Sequence, residues 1–209
     1  MIPVTIKAVH YIPHAAPAMC ESLGISGHNR CIALLTTDCD DATYIALDAA
    51  TKAADVEVSY ARSFYAGAAN ASSPNAGEVI GILSAATPGA VRSGMEAALS
   101  FLRSIGFQET HGVSYLAHTV SSCGSFLAAE AGVSLGSALA YLIAPPLESM
   151  VGLDAALKAS DVRLCKLYAP PSETNYGGGL LSGTQSACAA ACDAFENAVH
   201  AVAAQPIEP

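Results

Sequence analysis

Two segments of the chain carry the same apolar stripe. Val91, Met95, Ala98, Leu102 and Ile105 fall at i, i+4, i+7, i+11 and i+14, and Cys188, Cys192, Phe195, Val199 and Val202 repeat that spacing. It lines one face of a helix with 3.6 residues per turn. Thr87-Pro88 opens the first of these helices as N-cap and N1, and Gly106 closes it. Runs of β-branched and apolar residues predict strands at 4–12, 32–37, 56–63 and 79–83. They recur at 113–120, 139–144, 162–168 and 180–182.

A third helix also occurs twice. Leu47-Asp48-Ala49-Ala50-Thr51-Lys52-Ala53-Ala54-Asp55-Val56 matches Leu153-Asp154-Ala155-Ala156-Leu157-Lys158-Ala159-Ser160-Asp161-Val162. Upstream, the segment from Glu21 to Ser26 resembles that from Glu130 to Ser134. The chain is therefore a tandem repeat. Each copy reads strand, short helix, strand, helix, strand, turn-rich loop, strand, helix. That order predicts the α/β (α+β) class, with a mainly antiparallel sheet and helices packed on one of its faces. The boundary falls near 107–112, where Gln, Glu, Thr, His and Gly cluster, giving domains 1–107 and 108–209.

Composition narrows the function. Of 209 residues 52% are hydrophobic and only 13% charged, about half the usual charged share, which excludes intrinsic disorder. The net charge is −9 with no basic cluster, so neither nucleic-acid binding by phosphate neutralisation nor docking on an anionic membrane is expected. The apolar stretch 131–147 is short and broken by Ser134, Ser137 and Pro145-Pro146, so no membrane span is expected. The first residues lack a signal-peptide pattern, and the protein reads as soluble and cytoplasmic. Charge this sparse suits a surface largely covered by other subunits.

Seven cysteines are scattered without a metal-ligand spacing, which predicts buried, reduced thiols, no metal and no cofactor. Cys188 and Cys192 stand one turn apart, as a soft-metal pair would. They match Val91 and Met95 in the other copy, so they read as core. There is no nucleophile elbow and no HExxH, and His10 and His14 flank Pro13. No catalytic residue is expected.

The candidate chemistry is acidic. Thr37-Asp38-Cys39-Asp40-Asp41 places three acids at a strand end just before a helix, where one carboxylate suffices as a cap. The other copy has Ala144-Pro145-Pro146-Leu147 there, so the surplus charge belongs to one copy and suits a cation or an amine. Glu78 enters a strand where the other copy has glycine. Gly- and Asn-rich loops at 65–70 and 173–179 read as mobile backbone. Lys52 and Lys158 each follow an Asp by four residues. The pairs read as solvated helix-face ion pairs, or as a repeated interface contact. An enzyme or small-molecule sensor using Asp40 and Glu78 as an acid/base pair is the competing reading, but no His, Cys or metal partner accompanies them.

The segment from Asp40 to Val58 resembles the core helix and strand of bacterial microcompartment (BMC) shell domains. The strings 61–68, 76–79, 140–148, 152–158 and 170–176 narrow the resemblance to tandem-domain shell proteins of ethanolamine-utilisation microcompartments. Pro170-Pro171-Ser172-Glu173-Thr174-Asn175 is the most specific of them. The resemblance implies two circularly permuted BMC domains, a homotrimeric ring imitating a hexamer, and tiling edge to edge with other shell proteins. It implies a central pore gated by loops bearing Ala66, Gly67, Asn70, Glu173, Thr174, Asn175 and Tyr176. It further implies a narrow pore at which Asp40, Asp41, Tyr65, Glu78 and Phe107 bind a small metabolite such as ethanolamine, with Lys52 and Lys158 at tile edges. A choline or diol compartment is the alternative pathway.

Overall fold

The structure is a computed structural model and describes residues 1–64, 78–170 and 175–207. The chain divides into two compact units. One comprises Pro3–Ile105 with Gly124–Leu127; the other comprises Met1–Ile2, Gly106–Cys123 and Ala128–Pro209.

In the first unit the strands are β1 (Ile6–Ile12), β2 (Cys31–Thr37), β3 (Glu57–Phe64) and β4 (Glu78–Ala85), and the helices α1 (Pro17–Ser22), α2 (Asp40–Ala53) and α3 (Pro88–Leu102). The sheet order is β1-β2-β4-β3, antiparallel throughout. Alternation assigns Ala33, Leu35, Val79 and Leu83 to one face, and all four are buried. Helix α2 settles closely on that face: a Cβ on Gly81 would lie 2.6 Å from Leu47 Cδ1. The stripe Val91, Met95, Ala98 and Leu102 is buried on α3 as its spacing predicts. Thr87 Oγ1 caps that helix by accepting the Ala90 N–H at 3.2 Å. The short helix α1 is an exception to helices on one face. Its Cys20 joins Ile25, Ile32 and Ile82 in a separate cluster, on the side that the alternate residues of β2 and β4 present.

The second unit holds β5 (Gln108–Thr110), β6 (Val113–Val120), β7 (Ala138–Ala144), β8 (Val162–Tyr168) and β9 (Gly177–Gly183), with α5 (Pro146–Ala159) and α6 (Gln185–Ala204). Helix α4 (Ser125–Ala131) begins among residues of the first unit and ends among those of the second. The five-stranded order is β5-β6-β7-β9-β8, again antiparallel. Cys188, Ala191, Cys192, Phe195 and Val199 of α6 pack with Tyr115, Ala140, Leu142 and Leu181 of the sheet. The two cysteines are thus core residues, and burial pushes the Cys192 thiol up to about 11.

Two expectations need correction, and the boundary segment has a structure of its own. Helix α3 ends at Leu102 rather than at Gly106. Gly106 is glycine for another reason: a Cβ there would stand 2.1 Å from the Ile2 carbonyl oxygen. The polar cluster at 107–112, read from the sequence as a boundary, forms a hairpin. Gln108–Thr110 pairs with β6 through a two-residue turn in which His111 (φ 49°) and Gly112 (φ 80°) are both left-handed, the primed geometry that matches strand twist. Gly177–Gly179 is not loop but the start of β9, flanked by β7 and β8. A Cβ on Gly178 would sit 1.9 Å from the Leu142 carbonyl oxygen, and one on Gly179 2.6 Å from that of Lys166. Close backbone approach, which glycine permits, outweighs glycine's poor strand propensity here.

Candidate functional site

Two residues separate the end of β2 from the start of α2, and hydroxyls hold the corner. Thr37 and Thr43 bring their Oγ1 atoms to 2.7 Å, and the Cys39 N–H donates to Thr37 Oγ1 at 3.2 Å. Cys39, not an aspartate, is the N-cap, and no side chain caps the helix. Asp38 serves the backbone: its Oδ1 accepts the Thr5 N–H at 2.7 Å, and its own N–H donates to the Thr5 carbonyl at 3.2 Å.

Asp40 and Asp41 occupy the first turn of α2, only 4% and 7% exposed. A carboxylate at a helix N-terminus gains from the macrodipole, but removal from water opposes ionisation. Burial wins at Asp40 and pushes its carboxyl up to about 6. The Asp41 N–H, donated at 2.9 Å, and hydrogen bonds with the Ser63 hydroxyl and the Asp41 side chain act the other way. Ser63 also accepts the Tyr44 hydroxyl at 3.2 Å. Burial raises the Tyr44 phenol, and the charges of Asp40 and Asp41 raise it further. The same burial, with Asp41 beside it, keeps the Cys39 thiol protonated. A buried pair of adjacent carboxyls, one titrating near neutrality, can receive a small cation that brings its own charge and N–H donors.

Register brings further elements to this end of the sheet. Val79 pairs with Thr37 on one side and Ser63 on the other, and Glu78 pairs with Phe64. Glu78 Oε1 accepts a hydrogen bond from Lys7 Nζ, reaching from β1. Glu78 thus has a cation of its own, and the carboxyls in direct contact with each other are Asp40 and Asp41.

Tyr65, Ala66, Gly67, Asn70, Glu173 and Thr174 lie outside the described residues. Asn175 has a left-handed backbone, φ 66°, a conformation asparagine tolerates better than most residues. Phe107 and Tyr176 meet edge to face with ring centroids 5.6 Å apart, and Phe107 is fully buried. These three belong to the second unit, whereas Asp40, Asp41 and Glu78 belong to the first. Lys158 forms the solvated pair its spacing suggests, 2.6 Å from Asp154. Lys52 stands 3.6 Å from an Asp48 with no exposed side-chain surface. That carboxylate is turned to backbone, accepting the Gly124 and Leu127 N–H groups at 2.7 and 2.9 Å. Sequence reasoning missed Asp48, Ser63 and Lys7. Only Lys7, one of nine basic residues in the chain, left a usable signal. Among the described residues no group of three or more His, Cys, Asp or Glu is arranged to hold a metal ion.

The described residues form a duplicated α/β unit with antiparallel sheets and an acidic corner in one copy. The BMC-domain family model matches residues 31–116, from β2 into β6. The microcompartment shell protein EutL of Clostridium perfringens is 53% identical over 211 aligned residues, covering 99% of this chain and 97% of that protein. A crystal structure of the C. perfringens EutL superposes with a TM-score of 0.93, covering 99% of this chain and 96% of that one. The ethanolamine utilization protein EutL of Leptotrichia buccalis, 52% identical, gives the same TM-score over 100% of this chain and 98% of that one. The chain belongs to the EutL family of bacterial microcompartment shell proteins. It is a structural component rather than a catalyst, and its place is the microcompartment shell, among other shell components. No helix in the described residues is long and apolar enough to cross a membrane.

Proposed function

We propose that three chains close into a ring imitating a hexamer, and that such rings tile edge to edge into the shell of an ethanolamine-utilisation microcompartment. In this reading each half of the chain is one circularly permuted BMC domain. The acidic corner at Asp40 and Asp41 receives a small cationic alcohol such as ethanolamine on its way through the shell. Tyr65 supplies apolar contact, and Glu78, held by Lys7, marks the edge of the passage. The loops bearing Ala66, Gly67, Asn70, Glu173, Thr174, Asn175 and Tyr176 gate the central opening, and Lys52 and Lys158 meet neighbouring rings. The observation that carries the reading is similarity to EutL proteins along the whole chain, at 53% identity to that of C. perfringens.

The ligand class follows from charge. Asp40 is pushed up to about 6 by burial, so at neutral pH it is ionised at a cost. An ammonium relieves that cost and donates charge-assisted hydrogen bonds; a neutral diol does neither. Binding is weak, because a passage must release what it binds. Calorimetry with ethanolamine and 1,2-propanediol on the wild type and Asp41→Asn tests this. The wild type should prefer the amine, and the variant should lose about 1–3 kcal/mol of amine binding, the range for a hydrogen bond to a charged group. Equal amine affinities in both proteins, or tighter diol binding by the wild type, would remove the acidic corner from the function.

A further inference from the structure

Lys7 stands where β1 slips out of register. Ile6 pairs with Thr37 and Ala8 with Thr36, so Lys7 is the extra residue of a bulge. β1 is an edge strand of its sheet, and a bulge at a sheet edge re-aims a side chain. Just before it, Thr5 ties the strand to the acidic corner. The Thr5 N–H donates to Asp38 Oδ1 at 2.7 Å, and the Asp38 N–H donates to the Thr5 carbonyl at 3.2 Å. Asp38 precedes Asp40 by two residues.

From the bulge the Lys7 side chain passes over β2 to β4. Thr37 of β2 pairs with Val79 of β4, and Lys7 Nζ donates to Oε1 of the neighbouring Glu78. The two backbones are two strand spacings apart, about 9–10 Å, which a lysine and a glutamate bridge together. The pair is unequally withdrawn from water: the Glu78 side chain is 12% exposed and that of Lys7 37%. Removing the cation from such a pair leaves a largely buried carboxylate uncompensated. The partner able to move is the lysine, a point charge on a flexible four-carbon stem.

Register sets this pair apart from the adjacent aspartates. Ser63 pairs with Val79 and Phe64 with Glu78. Successive strand residues face opposite sides of a sheet. Ser63, which meets Asp40 and Tyr44, and Glu78 therefore belong to opposite faces of one sheet end. The carboxyls form two stations, Asp40 with Asp41 on the side of α2 and Glu78 with Lys7 on the other. An amine crossing the sheet end, as proposed above, meets both. At the second station it meets a copy of its own functional group, because Lys7 carries an ammonium on a tether.

We infer that Lys7 is a built-in competitor for the amine: its ammonium occupies the Glu78 carboxylate until the ligand's ammonium takes its place. The exchange keeps a cation on Glu78 before, during and after passage, so the second station neither traps the amine nor leaves a buried charge unpaired. A site in a passage has to bind weakly enough to release, and a tethered competitor weakens it without removing the carboxylate. The inference rests on the amine reading of the acidic corner and adds the residue that sets its affinity.

Calorimetry with ethanolamine on the wild type, Lys7→Met and Lys7→Met/Glu78→Gln tests it, with far-UV circular dichroism to monitor the fold. Methionine keeps most of the apolar stem and removes the charge. Lys7→Met should bind ethanolamine about tenfold more tightly than the wild type, because the ligand no longer displaces an ammonium from Glu78. The double variant should lose that gain. An affinity in Lys7→Met equal to or below that of a binding wild type would overturn the role of Lys7 and leave the acidic corner standing. A gain that persists in the double variant would also overturn it, since the lysine would then act as a distant charge rather than through Glu78. Ethanolamine bound by none of the three proteins would overturn the acidic corner and the competitor with it.

Discussion

Replacing Asp40 by Asn should stabilise the protein at neutral pH and leave it unchanged in acid. The Asp40 carboxyl is 4% exposed, and its value rises on folding from 3.8 to about 6 through burial. The folded chain therefore holds this proton over a range where the unfolded chain has released it. Below about pH 4 the group is neutral in both states and contributes nothing. Between pH 4 and 6 the folded state is progressively disfavoured, and above pH 6 the full penalty of about 3 kcal/mol applies, two units at 1.36 kcal/mol each. Asn keeps an acceptor for the Asp41 N–H and carries no charge. Imperfect replacement of the bonds to Ser63 and Asp41 offsets part of the gain, so Asp40→Asn should be more stable by about 1–3 kcal/mol at pH 7.5. Denaturant unfolding of both proteins at pH 4.5 and 7.5 reads this directly, at one fixed chain concentration because assembly adds its own stability. A difference that does not grow with pH, or an Asn variant less stable at pH 7.5, would refute the claim that the buried charge is a cost. A carboxylate retained at that cost is what a binding site requires and a helix cap does not.

Other expectations follow from the same geometry. Ethanolamine affinity should fall as pH drops from 7 to 5, because protonation of Asp40, at about 6, removes the charge the ammonium meets; calorimetry across that range should find no such fall in Asp40→Asn. Changing Lys52 and Lys158 together to Ala should leave the ring's sedimentation unchanged and abolish extended sheets; loss of the ring, or unchanged sheets, would contradict a tile-edge role. Gly178→Ala, whose Cβ would lie 1.9 Å from the Leu142 carbonyl oxygen, should cost more than about 3 kcal/mol on thermal unfolding, whereas Gly89→Ala, with nothing within 4 Å, should cost less than about 1.

The duplicated pattern made most of the fold legible. The stripe on α3 and the Thr87 cap left direct signals, because helix periodicity and capping are local. The hairpin at β5 and the glycine-rich start of β9 did not. His111, Gly112 and Gly178 take their conformations from strands paired across the sheet, which composition alone reads as loop. At the site, the sequence displayed the surplus acids but not their partners. Lys7 reaches Glu78 from β1, and Ser63 reaches Asp40 from the end of β3; neither lies within a sequence window that points to the other. Asp48 and Asp154 occupy the same repeat position, yet one is buried as a cap and the other solvated. What distinguishes them is the pair of amides at Gly124 and Leu127 that Asp48 accepts, and no spacing within α2 or α5 encodes it.

The proposed role is that of a shell built from trimeric rings. Electron microscopy of the purified protein at low salt tests it most directly. Flat sheets of close-packed rings are expected, each of three chains and about 63 kDa, given 21.1 kDa per chain. Dispersed monomers or dimers that form no sheet under any ionic condition would contradict it.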